Sequence, residues 1–416
     1  MRLTRSPPRL ITLTLLTALS ALTLNMVLPS LPSMARDLAA RESVTALAVS
    51  GYMLASALFQ LCLGPVSDRF GRRPVMLGAL LLFIGASLGC MLASDVMVLL
   101  TCRVLQAVVV AGAVVSSAAI RDQHSPVESA AMLSLIASAM AVAPMLGPML
   151  GGVLDVALGW RSVFALYALL GGALLLLAWT DMGETRAPGL PAPRLADWVA
   201  LLRSSRYWAY VLCTASSVGA FYVFVTGVPY VSKAAWDLSP AEVGLGVGSI
   251  TGGFVVGAAI SARHARRLGV GVLLVAGRVV AILGMTLGLV VFTAGASHPL
   301  ALFGFTLFIG LGNGLTLPSS NAGTLSVRPA LAGTAAGLSG ALVMALGAVL
   351  STFSALVVEV SPTPTALLTL LAGCALLSLV AALAALRLER AATQESAPRP
   401  AEGAMATGVP DASRDA

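Results

Sequence analysis

The sequence predicts an all-α integral membrane protein whose twelve transmembrane helices form two pseudo-symmetric six-helix halves. Three observations carry that prediction. Of 416 residues, 58% are apolar and 10% charged, against about 45–50% and about 25% in soluble domains. So little charge cannot cover a water-facing surface of this size. The mean hydropathy is +0.93. The apolar residues also fall into twelve runs, each near the roughly 20 residues that cross a bilayer core as a helix. Glycine, at 41 residues against 6% aromatic residues, suits helices whose backbones approach closely.

The first six runs cover about 9–30, 43–64, 74–93, 95–118, 131–155 and 160–180. Arg2, Arg5 and Arg9 ahead of the first run imitate a signal peptide. That apolar stretch is too long and lacks an A-x-A exit, so it reads as an uncleaved first helix. A polar linker at 181–206, with Pro188, Pro191 and Pro193, separates the halves 1–180 and 207–386. The second six runs cover about 207–230, 241–262, 270–293, 298–320, 331–358 and 363–386. The tail, 387–416, is rich in Ala, Pro, Glu and Arg and is expected to be disordered.

Basic residues set the orientation. Of 25, only Arg36, Arg41, Arg161 and Lys233 fall on one side, and Arg103 and Arg278 fall within spans. The rest lie on the side of the N-terminus. Both termini are therefore expected in the cytoplasm, in a multi-pass protein of the bacterial inner membrane.

Net charge of +7 is dispersed over short loops, which argues against a nucleic-acid partner. The five cysteines sit singly in apolar runs, without metal spacing, and read as small core residues. No H-E-x-x-H, G-x-S-x-G or Walker loop is present, so a transporter, not an enzyme, is expected. No cofactor or metal is expected, and without a nucleotide site the energy comes from an ion gradient or from the substrate's own gradient.

The loop after the second run reads Gly64-Pro-Val-Ser-Asp68-Arg69-Phe-Gly71-Arg72-Arg73. Gly64 is expected to allow close helix approach, Gly71 a tight turn, and Asp68 an ion pair at the end of its span. Together these residues suggest a conformational latch. The loop after the eighth run, Ala258 to Arg267, aligns with it at the same offsets, with Ala262 for Asp68 and Ala265 for Gly71. Such a six-helix repeat marks secondary transporters, whose site lies between the halves.

Arg103 lies in the fourth run, with Gln106 three residues on. A charged residue within a span is costly and points to function, so both are assigned to the central cavity. In the fifth run Pro144 and Pro148 each remove a helix hydrogen bond. Gly147, Gly151 and Gly152 give a smooth packing surface, and the five read as a hinge sealing the halves.

These motifs resemble those of the major facilitator superfamily: the loop its cytoplasmic signature, Arg103-x-x-Gln106 its fourth-span motif, and Pro144 to Gly152 the Gly-Pro motif of twelve-helix drug:proton antiporters. Leu28-Pro29-Ser-Leu-Pro32, Arg121-Asp122, Gly159-Trp160-Arg161 and Gly312-Asn313-Gly314 resemble the Bcr/CflA branch, which exports chloramphenicol, florfenicol and bicyclomycin. The similarity runs from about residue 20 to 386. It implies the superfamily fold, a small-molecule substrate, protons as partners and proton-driven export. One position departs from the pattern: where the branch carries a first-span acid, this chain reads Asn25-Met26-Val27-Leu28-Pro29. Asparagine cannot titrate, so Asp122 and Asp155 stand as replacement coupling acids. The substrate pocket is expected among Asn25, Met26, Phe221, Tyr222 and Asn313, in a monomer surrounded by membrane lipids.

Overall fold

The computed structural model describes residues 8–125, 128–129, 132–133, 135–136, 143–185, 195–328 and 331–396. Among these, eleven helices are long and apolar enough to cross a membrane, and a shorter apolar helix occupies the fifth run. The first span is α1 (Leu10–Asn25), a 3-10 turn (Leu28–Ser30) and α2 (Leu31–Asp37). Then come α3 (Glu42–Phe70), α4 (Arg72–Met91), and a fourth span of α5 (Val96–Gln106), a second 3-10 turn and α6 (Ala111–Gln123). The fifth and sixth spans are α7 (Ala143–Leu158) and α8 (Arg161–Asp181), and α9 (Leu195–Leu202) lies in the linker. Spans seven to twelve are α10 (Ser205–Trp236), α11 (Pro240–Leu268), α12 (Val270–Thr293), α13 (Pro299–Ser326), α14 (Ala332–Val360) and α15 (Pro364–Ser396).

Local chemistry sets several of these boundaries. The Asp95 carboxylate accepts from the Met97 and Val98 amides and starts α5. Ser239 and Glu242 form a reciprocal cap at the start of α11. Pro29 and Pro32 accompany the break in the first span. Three boundaries differ from expectation. The first and seventh spans run on to Asp37 and Trp236, and α15 continues to Ser396, so residues 387–396 are helical. The tail beyond them and most of the linker lie outside the described residues.

The contact pattern repeats between the halves. The first span packs on the fourth, fifth and sixth, and the seventh on the tenth, eleventh and twelfth. Pairs three–six and nine–twelve correspond, as do two–four and eight–ten. Across the halves, the second span packs on the eleventh and the fifth on the eighth. The structure moves the repeat's register, however. The turns between spans two–three and eight–nine are both single glycines with positive φ, Gly71 at +99° and Gly269 at +79°. Ala265 instead stays helical within α11, because a residue with a Cβ avoids that backbone region. Gly71 therefore corresponds to Gly269, four residues later than the sequence alignment placed it, and Arg72 corresponds to Val270.

Candidate functional site

The loop signature builds its network around Arg72. This residue opens α4, and its guanidinium donates to Asp68 at 2.6 Å, Asp122 at 3.0 Å and the Ser67 hydroxyl at 2.6 Å. It thus joins the second, third and fourth spans. The Arg72 and Asp122 side chains are 7% and 6% exposed, whereas Asp68 is 33% exposed. Glu184, just beyond α8, accepts from the Arg72 and Arg73 amides at 2.9 and 3.3 Å. A carboxylate at those otherwise unpaired N–H groups also meets the positive end of the helix dipole. Arg73 donates to the Trp179 carbonyl at 2.7 Å and stacks over its ring. The Arg69 guanidinium lies 5.5 Å from the Phe70 ring centroid.

Two expectations change here. Gly64 makes no close approach, since a Cβ added there would meet nothing within 4 Å. Asp122 is not in the central cavity but at the end of its span, held by Arg72. Asp155 is likewise terminal, near the opposite face, where the Ser33 hydroxyl donates to it at 2.8 Å. Neither replacement acid reaches mid-membrane.

Arg103 is fully buried between the first, second and fourth spans. Its Nε donates to the Ala48 carbonyl at 3.0 Å, and Nη1 donates to the Thr23 carbonyl at 3.3 Å and Gln106 Oε1 at 2.5 Å. Gln106 in turn donates to the Ser87 hydroxyl at 2.7 Å. The Tyr52 ring lies 4.4 Å under the guanidinium, a cation–π contact strengthened by desolvation. No ion pair to Arg103 occurs among the described residues. Its Nη2 and the Asn25 Oδ1 are buried without a hydrogen-bond partner among the described residues. Arg103 is therefore enclosed between helices instead of lining an open cavity.

Asn25 ends α1 and donates to the Ala21 carbonyl at 2.7 Å. The Gly-Pro segment packs directly onto this break. A Cβ on Gly147 would approach the Asn25 Cβ at 3.0 Å, and one on Gly151 would overlap the Met26 carbonyl oxygen. On the adjoining side, Gly152 meets the Pro240 backbone and Gly244 meets the Pro148 backbone. Pro144 opens α7, and nothing is described of its side chain. The fifth span thus wedges between the first and eighth, at the end away from the basic loops. The same end is closed by Tyr230, which pairs with the Thr45 hydroxyl at 3.3 Å and donates to the Glu42 carbonyl at 3.2 Å. Pro29 and Pro32 there face Pro229 and Pro240 around a small void of about 30 Å³.

The expected pocket residues divide. Tyr222 lies against Gly347, beside Met53, at the seam of spans two, seven and eleven. Phe221 makes an edge contact with it at 5.5 Å. Met26 is buried against Gly151. Asn313 is committed elsewhere: it accepts from Arg278 at 2.9 Å and donates to the Ser217 carbonyl at 3.0 Å. Arg278 also donates to the Thr316 hydroxyl at 2.9 Å. The sequence reading placed this second arginine within a span but gave it no role, although the reasoning applied to Arg103 covers any arginine within an apolar run. It also missed Glu184, whose signal was an acid placed just past a span on the side of the basic loop.

A family model described as Major Facilitator Superfamily matches residues 13–352. The chain belongs to the major facilitator superfamily. It is 33% identical over 213 residues to the chloramphenicol resistance protein of Pseudomonas aeruginosa, a match spanning about half of each chain, 51%. It is 30% identical over 329 residues to the multidrug resistance protein MdtL of Escherichia coli, covering 76% of this chain and 81% of that one. Among solved structures, a bacterial homolog of the human lysosomal transporter Spinster, inward-facing and unoccupied, superposes with a TM-score of 0.74 at 15% identity. That match covers 93% of this chain and 97% of the other and fixes the shared fold. The superfamily fold and the multi-pass membrane placement follow, and the chain is a transporter by family.

Proposed function

We propose that this chain is a secondary exporter of small amphiphilic antimicrobials, phenicol- or bicyclomycin-like, of the Bcr/CflA branch. It works in the bacterial inner membrane by alternating access, as a monomer with both termini in the cytoplasm. Proton flow into the cell drives it, with no other cofactor. What carries the reading is the likeness to a multidrug resistance protein along three-quarters of the chain. The match of about half of the chain's length to a chloramphenicol resistance protein supports the substrate class. The closure of one face by Gly-Pro packing suits one state of an alternating-access cycle.

In this scheme the Arg72 network ties spans two, three and four into one moving body. Pro144, Gly147, Pro148, Gly151 and Gly152 let the first and fifth spans turn against the eighth. Arg103 supplies a permanent cation in the membrane. Substrate contacts fall to Asn25, Tyr222 and Phe221.

Asn25 favours a second reading. Among the described residues no acid stands in its place at mid-span, since Asp122 and Asp155 both lie at helix ends. Export would then be uncoupled, or the substrate an endogenous metabolite. Everted vesicles separate these. With an acidified interior, chloramphenicol or florfenicol should dissipate the pH gradient only where the protein is present. An unchanged gradient with inserted protein rejects phenicol:proton antiport and leaves the second reading.

A further inference from the structure

We infer that the second half carries a binding groove for one anionic phospholipid, between the ninth and twelfth spans at the face of the basic loops. The groove has a volume of about 910 Å³, within the range of about 300–1,000 Å³ common for ligand sites. One wall is Leu268, Gly271, Val272, Val275 and Ala276, and the other is Leu383 and Leu386 from α15. Glu389 and Arg390 close its polar end. Leu268, Val272 and Leu383 are all exposed, so an acyl chain can lie along them from the surrounding bilayer.

The repeat accounts for the opening between the ninth and twelfth spans. With Gly71 corresponding to Gly269, Arg73 corresponds to Gly271. In the first half, between the third and sixth spans, Arg73 binds the Trp179 carbonyl and stacks on its ring. In the second half no side chain leaves position 271.

Charge selects the headgroup. The Glu389 carboxylate accepts from Arg206 at 3.3 Å and from the Tyr210 hydroxyl at 2.7 Å, so its charge is compensated. Arg390 is exposed at the rim, with Arg387 exposed one turn earlier. A guanidinium matches phosphate oxygens in two-point geometry. One such cation near an anionic membrane surface contributes about 1 kcal/mol, equivalent to about a fivefold preference for a net-negative headgroup.

Native mass spectrometry of the full chain, released from micelles containing equal phosphatidylglycerol and phosphatidylethanolamine, tests this. The wild type should retain one phosphatidylglycerol with about fivefold preference. Arg390→Ala should remove the preference and Arg390→Lys keep most of it. Gly271→Leu should lower retention of both lipids, because its side chain would occupy the apolar channel. Equal retention of the two lipids by the wild type, or an unchanged preference in Arg390→Ala, overturns the proposal. A dimer that disappears in Gly271→Leu would also overturn it, by giving the groove to a second copy of the chain.

Discussion

The two halves share a contact pattern but anchor their charges differently. Each half ties its first and last spans with one acid at the basic face. In the first half Asp181 accepts from the Arg9 amide at 2.9 Å and the Thr12 hydroxyl at 2.5 Å. In the second, Glu389 takes the same place against Arg206 and Tyr210. The halves diverge at the inter-helix turn. The first puts arginine after the glycine and surrounds it with Asp68, Asp122 and Glu184. The second puts Val270 there and has no equivalent network among the described residues. They diverge again inside the membrane. Arg103 is held largely by backbone carbonyls and an aromatic face, whereas Arg278 is held by Asn313 and Thr316 side chains. A fold built by repetition can thus keep its helix packing while placing the arginine network of the inter-helix turn in one copy, because packing needs only shape and the ion pairs need specific groups.

The contrast can be broken first at the buried arginines. Arg103→Ala should abolish export while the protein still inserts, because a cation-shaped void replaces the bond to the Thr23 carbonyl where the first span breaks. Drug accumulation in cells with matched protein levels checks this, and full export would place Arg103 outside the mechanism. Next in size is the acid pair around Arg72. Asp122→Asn leaves a largely buried guanidinium undercompensated and should cost up to about 3–5 kcal/mol. Asp68→Asn, at a more exposed site, should cost no more than about 1 kcal/mol and should weaken transport without abolishing insertion. Unfolding in detergent followed by tryptophan fluorescence gives the ranking, and equal losses would dissolve it. A third test compares the turns. Gly269→Ala, at φ +79° and ψ 152°, should lose only the cost of that backbone region, about 1–3 kcal/mol. Gly71→Ala pays that and also collides with the Glu184 carboxylate, so its melting temperature should fall further.

Much of the fold was legible because hydrophobic run length and charge placement are properties of the chain itself. The ninth run was expected at 270–293, and α12 occupies those residues. What the chain alone could not reveal was which face of a helix meets which neighbour. Asp122 looks like any acid near a span end until α4 brings Arg72 beside it. Asn313 looks like a cavity residue until Arg278, 35 positions earlier, claims its carbonyl oxygen. The repeat slipped for a local reason: Arg-Arg pairs at the same spacing outweighed the one residue, Gly269, that the backbone requires.

The seam formed by Gly147, Gly151 and Gly152 sets a limit on how this chain can vary. At Gly151 and Gly152 a single methyl group would overlap the Met26 and Pro240 backbones, which no rotamer relieves, and at Gly147 it would press on the Asn25 Cβ at 3.0 Å. Lipid-facing positions such as Leu176 or Val290 can exchange one apolar residue for another at little cost. Mutational tolerance along the sequence should therefore be steeply uneven. Gly151 and Gly152 would be nearly immutable, and Gly147 tightly restricted, beside a long surface free to drift, and new substrate ranges would arise by changes around the seam while the seam itself stays fixed.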